Sequence, residues 1–249
     1  MWRAIYIMWL RQMKRFLRSR ARVVASLAQP VLFLITFGFG FSAVFRAAGA
    51  GNYIQFLAPG IIAMGIVFSS VFSGIEVMWD RQFGFLKETL VAPVPRLHIM
   101  IGRTLGGATV SMIQGLLVIG MCILAGFRPL HLSSLPLAVM FMALISIVFA
   151  ALGTTIGSRL QNMQGFQLIM NFLVMPIYFL SGALYPLNNL PAGLVVATRI
   201  DPLTYGIDGL RGAFIGVSHF GARTDAAVLS AVAAVFLALG AYSFSKIQI

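Results

Sequence analysis

Charged residues are scarce in this sequence, and acidic ones are the scarcest. Only six of the 249 residues are Asp or Glu, and charged residues together make up 10% of the chain. A soluble globular domain carries about 25% charged residues. Hydrophobic residues make up 59% of the chain, and its mean hydropathy is +0.94. This composition excludes an ordinary soluble domain and predicts a protein that is embedded in a membrane.

The residue types that usually carry catalysis or metal binding are also few. The single cysteine, Cys122, cannot form an intrachain disulfide and belongs to no metal-ligand cluster. The three histidines fall in separate segments without ligand or triad spacing. None of the three lysines follows a glycine, so a phosphate-binding loop of the form G-x-x-x-x-G-K-[ST] is absent. The sequence therefore predicts that this chain is not an enzyme and does not hydrolyse ATP.

Six apolar stretches are long enough to cross a membrane, since about 20 apolar residues span the hydrocarbon core as a helix. They cover residues 23–45, 55–76, 104–126, 133–157, 164–185 and 225–245. All charged side chains can be placed outside their interiors, with Glu76 at the end of the second stretch. Ion-coupled transporters usually bury titratable groups at mid-membrane. This pattern argues against ion coupling, although it leaves a passive pore possible.

The fold class predicted from these stretches is an all-α membrane protein with six transmembrane helices in one domain over residues 1–249. Of the Lys and Arg residues, thirteen fall on the side of both termini and five on the other side. The positive-inside rule then places both termini in the cytoplasm. The same flanking charge accounts for the net charge of +12 without a nucleic acid partner.

An interfacial amphipathic helix is predicted over residues 1–20, before the first span. Its apolar face is expected to point toward acyl chains and its basic face toward anionic head groups. The helix either anchors the topology or contacts a partner subunit, and the sequence leaves both roles open. The apolar side chains at helical spacing are those of Trp2, Ile5, Tyr6, Trp9, Met13, Phe16 and Leu17.

The cytoplasmic loop after the second span has the pattern of a short helix. Gly84 can break the preceding helix, and Pro93 and Pro95 disfavour helix in the residues before them. Apolar side chains rimmed by charge on such a loop indicate a protein interface, and packing against the membrane surface is the alternative. The apolar side chains are those of Phe85, Leu86 and Leu90, and the charged ones are those of Lys87 and Glu88.

The outer segment over residues 186–221 is too long for an unstructured connection in a compact domain. We expect two short helices, at about 190–198 and 202–215, that dip into the outer leaflet and return. Asp201 is a suitable N-cap, and Pro202 suits the first helical position.

The second of these outer helices has an apolar face and a charged pair. The apolar residues are Leu203, Ile207, Leu210 and Phe214. Asp208 and Arg211 are three residues apart on the polar side, so they are expected to pair within one turn. Their predicted role is to stabilise the helix rather than to bind substrate.

A polar stripe follows one face of the fifth span. It consists of Gln164, Gln167, Asn171 and Tyr178. Amide side chains that face lipid are costly, so these should face another helix or a watery path. They either hold the helix bundle together or line a transport pathway.

Both loops and the order of the spans resemble the membrane subunits of ABC type-2 exporters, such as the daunorubicin-resistance, nodulation-factor and polysaccharide export permeases. The first motif resembles acidic-Arg-x-x-Gly…Leu…Pro-Val-x-Arg and is formed by Asp80, Arg81, Gly84, Leu90, Pro93, Val94 and Arg96, with Gly102 and Arg103 after it. The second resembles Asn/Asp-Pro-Leu-x-Tyr…Leu-Arg and is formed by Asp201, Pro202, Leu203, Tyr205, Leu210 and Arg211. Gln82 and Phe85 depart from the pattern of many relatives, which leaves the subgroup and the substrate open.

This resemblance implies a complex of two permease subunits, identical or different, and two cytosolic ATPase subunits. ATP and Mg²⁺ would bind to the ATPase subunits, and this chain would bind no cofactor. The implied function is ATP-driven export of an amphipathic drug, lipid or saccharide from a bacterial cell by alternating access. A passive channel or secondary transporter is the alternative. The coupling helix on the ATPase would comprise Gly84, Phe85, Leu86, Lys87, Glu88 and Leu90.

Overall fold

The computed structural model of the chain describes residues 2–47, 52–85, 94–130, 132–160, 162–187 and 190–245. Within these ranges the regular structure is helical and contains no β-strand. The all-α fold class predicted from the sequence is therefore confirmed.

The N-terminal part consists of three helical segments. Helix α1 covers Trp2–Arg18, in agreement with the helix predicted over residues 1–20. Helix α2 covers Arg20–Phe33 and continues as a π-helical segment over Leu34–Phe39. Helix α3 is a short continuation at Ser42–Ala47. The path bends by 74° between α1 and the apolar segment that follows it, so α1 crosses the direction of that segment instead of extending it.

Eight further helices complete the described chain. They are α4 (Tyr53–Phe72), α5 (Ile75–Gln82), α6 (Arg96–Leu124), α7 (Leu135–Arg159), α8 (Met163–Leu180), α9 (Ala192–Ile200), α10 (Pro202–Ile215) and α11 (Ala222–Ser245).

Five helical units are long and apolar enough to cross a membrane: α4 with α5, α6, α7, α8 and α11. The number rises to six when α1 and the apolar segment after it are counted as one bent span. Five of the six predicted spans match these units, whereas the predicted first span at residues 23–45 corresponds to the apolar segment that is counted only together with α1. Several helices extend past the predicted ends, and α6 extends furthest at its start. Helix α6 has 29 residues and is thus about 43 Å long, which exceeds the roughly 30 Å of a hydrocarbon core. As a result, Arg103 lies inside α6, whereas the sequence placed it just before the span.

Helix α4 lies at the centre of the bundle and packs against α6, α7 and α10. Its buried face includes Leu57, Ile61 and Met64. Close packing with α7 depends on small residues. A Cβ atom on Gly74 would clash with the backbone of Gly153. Glycine at such crossings allows two helix backbones to approach each other, as is common between membrane helices.

The long helices run alternately up and down, so the bundle has two distinct ends. At one end α1, α5 and the start of α6 meet the last residues of α11. At the other end α10 lies against the start of α4, where Arg211 reaches Phe56, and α9 packs against α10. We call these the α1 end and the α10 end. The two loops with family-like motifs therefore lie at opposite ends of the bundle.

Candidate functional site

The loop that is predicted to couple to an ATPase begins at the end of α5, at the α1 end. Gly84 has a φ of +79°, which is a left-handed conformation that side chains with a Cβ rarely adopt. Phe85 follows with about half of its surface exposed, and the guanidinium carbon of Arg11 lies 5.2 Å from the centre of its ring. The other predicted coupling residues lie outside the described residues: Leu86, Lys87, Glu88 and Leu90.

A buried ionic cluster lies four residues before Gly84. We call it the Asp80 cluster, and it consists of Arg11, Arg15, Glu76, Asp80 and Arg103. Asp80 Oδ1 accepts a 2.7 Å hydrogen bond from Nη2 of Arg11, and its Oδ2 accepts one from Nη2 of Arg103. Arg15 lies 3.5 Å from Glu76 Oε2 and 3.6 Å from Asp80 Oδ1. The cluster thereby joins α1, α5 and α6.

The side chains of this cluster must remain paired because buried charges are costly to leave alone. Removing one partner of a buried ion pair typically costs about 3–5 kcal/mol. Asp80 and Arg103 are both almost fully buried, whereas Arg11 and Arg15 are about one-third exposed. The inner pair, which joins α5 to α6, would therefore leave the more costly unpaired charge if one partner were removed.

Two further arginines of the first motif cap the ends of other helices. Nη2 of Arg81 donates to the Ser158 carbonyl at 2.7 Å, and its Nη1 donates to the Leu160 carbonyl at 3.0 Å. Nη1 of Arg96 donates to the Ser245 carbonyl at 2.7 Å. Basic side chains satisfy the unpaired carbonyls at helix C-termini. Each side of the candidate coupling loop is thus fastened to a different long helix, α7 or α11.

Helix α1 packs along α6 rather than facing lipid with its whole apolar side. Nε1 of Trp9 donates a 3.0 Å hydrogen bond to Oγ1 of Thr109. A Cβ atom on Gly102 would lie 2.9 Å from the Ile5 carbonyl oxygen, so glycine allows this close approach. The face toward the protein includes buried Gln12 and Phe16.

The expected orientation of α1 thus holds only in part. Trp2, Tyr6 and Leu17 are exposed, as a lipid-facing side requires. Arg11 and Arg15 differ from the expectation because they point toward Asp80 and Glu76 instead of being left to head groups. The sequence did not reveal this pairing, since the carboxylates lie more than 60 residues away in the chain.

The polar stripe of α8 is divided between two environments. Gln164, Gln167 and Asn171 are exposed, and their side-chain amides make no hydrogen bond to a described residue. Tyr178 is fully buried, and its ring meets that of Phe33 edge-on at 6.1 Å between centroids. Within the described chain, these amides therefore do not hold the bundle together by interhelical hydrogen bonds. A second subunit and a watery path remain as the partners that could cover them.

The two outer helices form as predicted, at the α10 end. Oδ1 of Asp201 accepts a 2.9 Å hydrogen bond from the Leu203 backbone N–H, and Pro202 occupies the first helical position. The hydroxyl of Tyr205 donates to the Arg199 carbonyl at 2.8 Å and so ties α10 to α9. The predicted apolar face of α10 is fully buried.

The predicted pair of Asp208 and Arg211 is wrong as a contact. Both side chains are buried, and each has its own partners. The Asp208 carboxylate accepts hydrogen bonds from the backbone N–H groups of His219 and Phe220, both at 2.8 Å. It therefore organises the turn after α10. Helical spacing predicted that the two side chains would pair with each other. In the structure each one instead forms hydrogen bonds with backbone groups of a neighbouring segment.

Arg211 instead fastens the chain that follows α8. Its Nη2 donates to the Gly182 carbonyl at 2.8 Å and to the Ala183 carbonyl at 3.2 Å. Its guanidinium carbon lies 3.8 Å from the centre of the Phe56 ring. Burial lowers the pKa of Arg211 to about 10, and the charge of Asp208 opposes that shift. Arg211 therefore stays protonated at neutral pH and joins α10, α4 and the segment after α8.

Asp225, in the first turn of α11, is a buried group that sequence reasoning missed. Its carboxyl is fully buried, and neither oxygen accepts a hydrogen bond from a donor group of the described residues. Its carboxyl lies close to that of Asp208. No sequence signal marked this pair, because Asp225 stood at the edge of the sixth apolar stretch.

The described residues contain no group of three or more His, Cys, Asp or Glu side chains that could hold a metal ion. Asp80 and Glu76 are paired with arginines at the α1 end, and Asp208 is bound by backbone donors at the α10 end.

Comparison with known proteins decides the family. The model of the ABC-2 type transporter family matches residues 3–215. This chain belongs to the ABC-2 type transporter family. It is 27% identical to the inner membrane transport permease YadH of Escherichia coli K12 over 233 residues, which cover 92% of this chain and 89% of YadH.

Two other relatives are named as a permease and a nodulation protein. The putative transport permease ycf38 of Cyanophora paradoxa is 30% identical over 78% of this chain and 68% of its own length. Nodulation protein J of Rhizobium leguminosarum bv. trifolii is 28% identical over 86% of this chain and 80% of its own length. The chain is accordingly a multi-pass membrane protein and a transport permease of the ABC-2 type.

In this ABC-2 permease, the residues of the two motifs have identifiable structural roles. Asp80 and Arg103 form the centre of an ionic cluster, and Arg81 and Arg96 cap the C-terminal ends of helices. Gly102 allows α1 to pack closely against α6 because it has no side chain. In the second motif Asp201, Pro202 and Tyr205 shape the start of α10, and Arg211 fastens three segments. The described motif residues thus maintain the geometry at both ends of the bundle.

Proposed function

We propose that this chain is the membrane subunit of an ATP-driven ABC exporter. A separate cytosolic ATPase would bind ATP and Mg²⁺ and contact the loop that begins at Gly84. The cargo would be an amphipathic drug, a lipid or a saccharide-type molecule. The observation that supports this proposal most is the position of the Asp80 cluster, which lies directly before that loop and joins three helices.

This position gives the coupling loop a mechanical connection to the transmembrane helices. Phe85 lies only five residues after Asp80, so a displacement of Phe85 by the ATPase would be transmitted to Asp80 over a short stretch of chain. Asp80 would pass the displacement to α1 through Arg11 and to α6 through Arg103. Arg81 and Arg96 would pass it to the ends of α7 and α11. Movement of one short loop would therefore shift several helices together, as alternating access requires.

The proposed orientation has both termini and the 80–103 segment in the cytoplasm of a bacterial cell, with residues 188–221 outside. The basic residues at the α1 end support it through the positive-inside rule. Lys87→Cys on a Cys122→Ser background tests it by labelling with a membrane-impermeant thiol reagent. We expect labelling only after the membrane is opened. Labelling of residue 87 in intact cells would show that this loop lies outside the cell, which would contradict both the proposed topology and the proposed ATPase contact.

The proposed assembly contains two ATPase subunits and two permease subunits, as a homodimer or with a second permease chain. The exposed amides of Gln164, Gln167 and Asn171 support a partner or a path beside α8. Affinity purification of this chain from its own host, followed by mass spectrometry, is the decisive experiment for the partners. We expect an ABC ATPase in stoichiometric amount. Repeated purification without any ATPase, under conditions that preserve complexes, would contradict the proposal.

The coupling contact is tested by the double variant Phe85→Ala with Leu86→Ala. Large-to-small changes at a buried contact cost roughly 2–5 kcal/mol, and every 1.4 kcal/mol is about tenfold in affinity. We expect normal insertion, weaker ATPase binding, and a parallel loss of substrate-stimulated ATPase activity and export. The matched control is Ile123→Ala with Leu124→Ala, an exposed apolar pair at the opposite end of α6. Equal activity of both double variants would place the coupling contact elsewhere.

A proton-coupled secondary transporter is the second candidate, and one observation favours it. Asp208 and Asp225 are both buried and lie close together at the α10 end, and buried acidic residues of membrane proteins often mark proton pathways. Proteoliposomes that contain only this chain separate the two candidates. Uptake or export driven by an imposed pH gradient would favour the secondary transporter. Transport that requires the ATPase subunits and ATP would support the exporter.

A further inference from the structure

A cavity of about 380 Å³ lies between α1, α2, α4, α5 and α6 and reaches from mid-bundle toward the α1 end. Volumes of about 300–1,000 Å³ are typical of small-molecule sites in proteins. The predicted polar stripe of α8 does not contribute to its wall. The cavity is therefore separate from the pathway suggested by the sequence.

The wall of this cavity combines aromatic surface with uncharged hydrogen-bonding groups. Phe16, Phe68 and Phe72 supply apolar surface. The uncharged polar side chains on the wall are those of Gln12, Ser26, Gln29, Ser69, Ser73 and Gln114, and Glu76 is the charged one. This mixture suits a ligand with an apolar body and several polar atoms.

Three of the polar side chains have unused hydrogen-bonding capacity. Gln12, Gln29 and Ser69 make no side-chain hydrogen bond to any described residue, and Gln12 is more than nine-tenths buried. Gln114, by contrast, donates to the hydroxyl of Ser26. Buried polar groups in proteins are normally hydrogen-bonded, because an unpaired one costs about 1–3 kcal/mol. The buried amide of Gln12 therefore calls for a partner inside the cavity, and the half-buried side chains of Gln29 and Ser69 offer further free groups beside it.

The charges at the cavity argue for an uncharged partner. Glu76 is the acidic residue on its described wall, and it lies 3.5 Å from Arg15. The neighbouring carboxylate of Asp80 is paired with Arg11 and Arg103. An ionic ligand would enter without a free counter-charge, and an unpaired buried charge is far more costly than a neutral polar group.

We propose that this cavity is a binding site for a neutral amphiphile whose hydroxyl or carbonyl groups contact Gln12, Gln29 and Ser69. The proposal is independent of the exporter proposal, because it concerns equilibrium binding to this chain whether or not the ligand is the cargo. Its failure would leave the ATPase contact untouched, and the absence of an ATPase would leave the cavity untouched.

Trp79 makes the binding measurable because it lines the cavity and is one of only three tryptophans in the chain. Replacing the other two, as Trp2→Phe and Trp9→Phe, leaves Trp79 as the fluorophore. The protein is placed in phosphatidylcholine nanodiscs and titrated with an alkyl glucoside that carries bromine on its chain, below the critical micelle concentration. We expect saturable quenching of Trp79 that the unbrominated glucoside reverses by competition.

Two cavity variants and one control make this test specific. Ser69→Phe fills the cavity and should raise the Kd at least tenfold. Gln29→Leu keeps the approximate volume but removes one hydrogen-bonding amide, so the Kd should rise about three- to tenfold. Gln82→Leu makes the same chemical change on an exposed residue outside the cavity and should leave the Kd unchanged.

Defined outcomes would overturn the proposal. Quenching that rises linearly, with the same slope in Ser69→Phe as in the parent, would mean that the probe only partitions into the bilayer. An unbrominated alkyl trimethylammonium or alkyl sulfate that reverses the quenching as well as the unbrominated glucoside does would show that the site does not select neutral head groups. If Ser69→Phe does not insert, Gln29→Leu against Gln82→Leu decides the matter, since equal Kd values in these two would also overturn it.

Discussion

Asp80 and Arg103 form an ion pair in which the two side chains expose only 4% and 2% of their surfaces. Arg103 belongs to the long helix α6, and Asp80 lies in α5, just before the candidate coupling loop. Arg11 reaches the same carboxylate from α1 at 2.7 Å. One carboxylate thus connects the N-terminal helix, the loop and the bundle.

The first prediction concerns the order of severity within this cluster. Asp80→Asn should be more damaging than Arg103→Met, because it leaves three arginines without their shared carboxylate, whereas Asp80 retains Arg11 when Arg103 is removed. Losing one partner of a buried pair costs about 3–5 kcal/mol. We expect the midpoint of thermal unfolding, measured by size-exclusion chromatography of heated samples, to fall most for Asp80→Asn. Arg223→Gln, which removes an exposed charge, is the control. A reversed order would mean that Asp80 is not the centre of the cluster.

The second prediction compares two glycines of the same helix, α6. A Cβ atom on Gly102 would lie 2.8 Å from the Met8 Cβ atom and 2.9 Å from the Ile5 carbonyl oxygen, whereas a Cβ atom on Gly120 would meet nothing within 4 Å. Gly102→Ala should therefore displace α1 and cost about 1–3 kcal/mol. Gly120→Ala should be neutral or stabilising by up to about 1 kcal/mol, because alanine favours helix.

Trp9 reports on this displacement because its Nε1 binds Thr109 in α6. In a variant that retains Trp9 as its single tryptophan, Gly102→Ala should shift the fluorescence emission maximum and increase quenching by iodide. The Gly120→Ala variant should match the parent. Unchanged emission in both variants would mean that α1 does not need this close contact.

Much of the architecture could be predicted from the sequence because the membrane imposes a simple rule. Helices about 20 apolar residues long are required for crossing, so the spans follow from hydropathy. The start of α10 was also predictable, since Asp201 and Pro202 act locally through capping and a fixed φ. In these cases the physical cause lies within a few residues of its effect.

The partners of the charged residues could not be predicted in the same way. Arg11 and Asp80 are 69 positions apart in the chain, and Arg211 and Gly182 are 29 apart. Helical spacing suggested a local pair for Asp208 and Arg211, but both groups are buried and bind backbone atoms of neighbouring segments. The proximity of the buried carboxyls of Asp208 and Asp225 depends on how α10 packs against α11, which no local pattern encodes.

The third prediction follows from the separate partners of Asp208 and Arg211. Reversing both charges, as Asp208→Arg with Arg211→Asp, should not rescue either single reversal. Arginine at 208 cannot accept the backbone N–H groups of His219 and Phe220, and aspartate at 211 cannot donate to the carbonyls of Gly182 and Ala183. Expression, thermal stability and transport of all three variants should be similarly low. Substantial recovery in the double variant would restore the direct pair as the explanation.

The fourth prediction is a pH dependence that arises at Asp201. Burial raises the pKa of this carboxyl to about 7, even though its hydrogen bond from the Leu203 N–H favours the ionised form. The unfolded value is about 3.9. Because the folded pKa is the higher one, the protonated carboxyl favours the folded state. This contribution is complete below about pH 4 and is lost as the pH rises through about 7.

Comparing the parent with Asp201→Asn and Asp201→Ala separates the titration of Asp201 from its role as a helix cap. The thermal midpoint of the parent should fall between pH 5 and pH 8, relative to that of Asp201→Asn, which caps the helix without titrating. Asp201→Ala should be about 1 kcal/mol less stable than Asp201→Asn at every pH, because alanine has no acceptor for the Leu203 N–H. If the parent and Asp201→Asn keep a constant difference across this range, Asp201 is ionised in the folded protein throughout. The cap would then act through its charge at the start of α10 rather than through a neutral hydrogen bond.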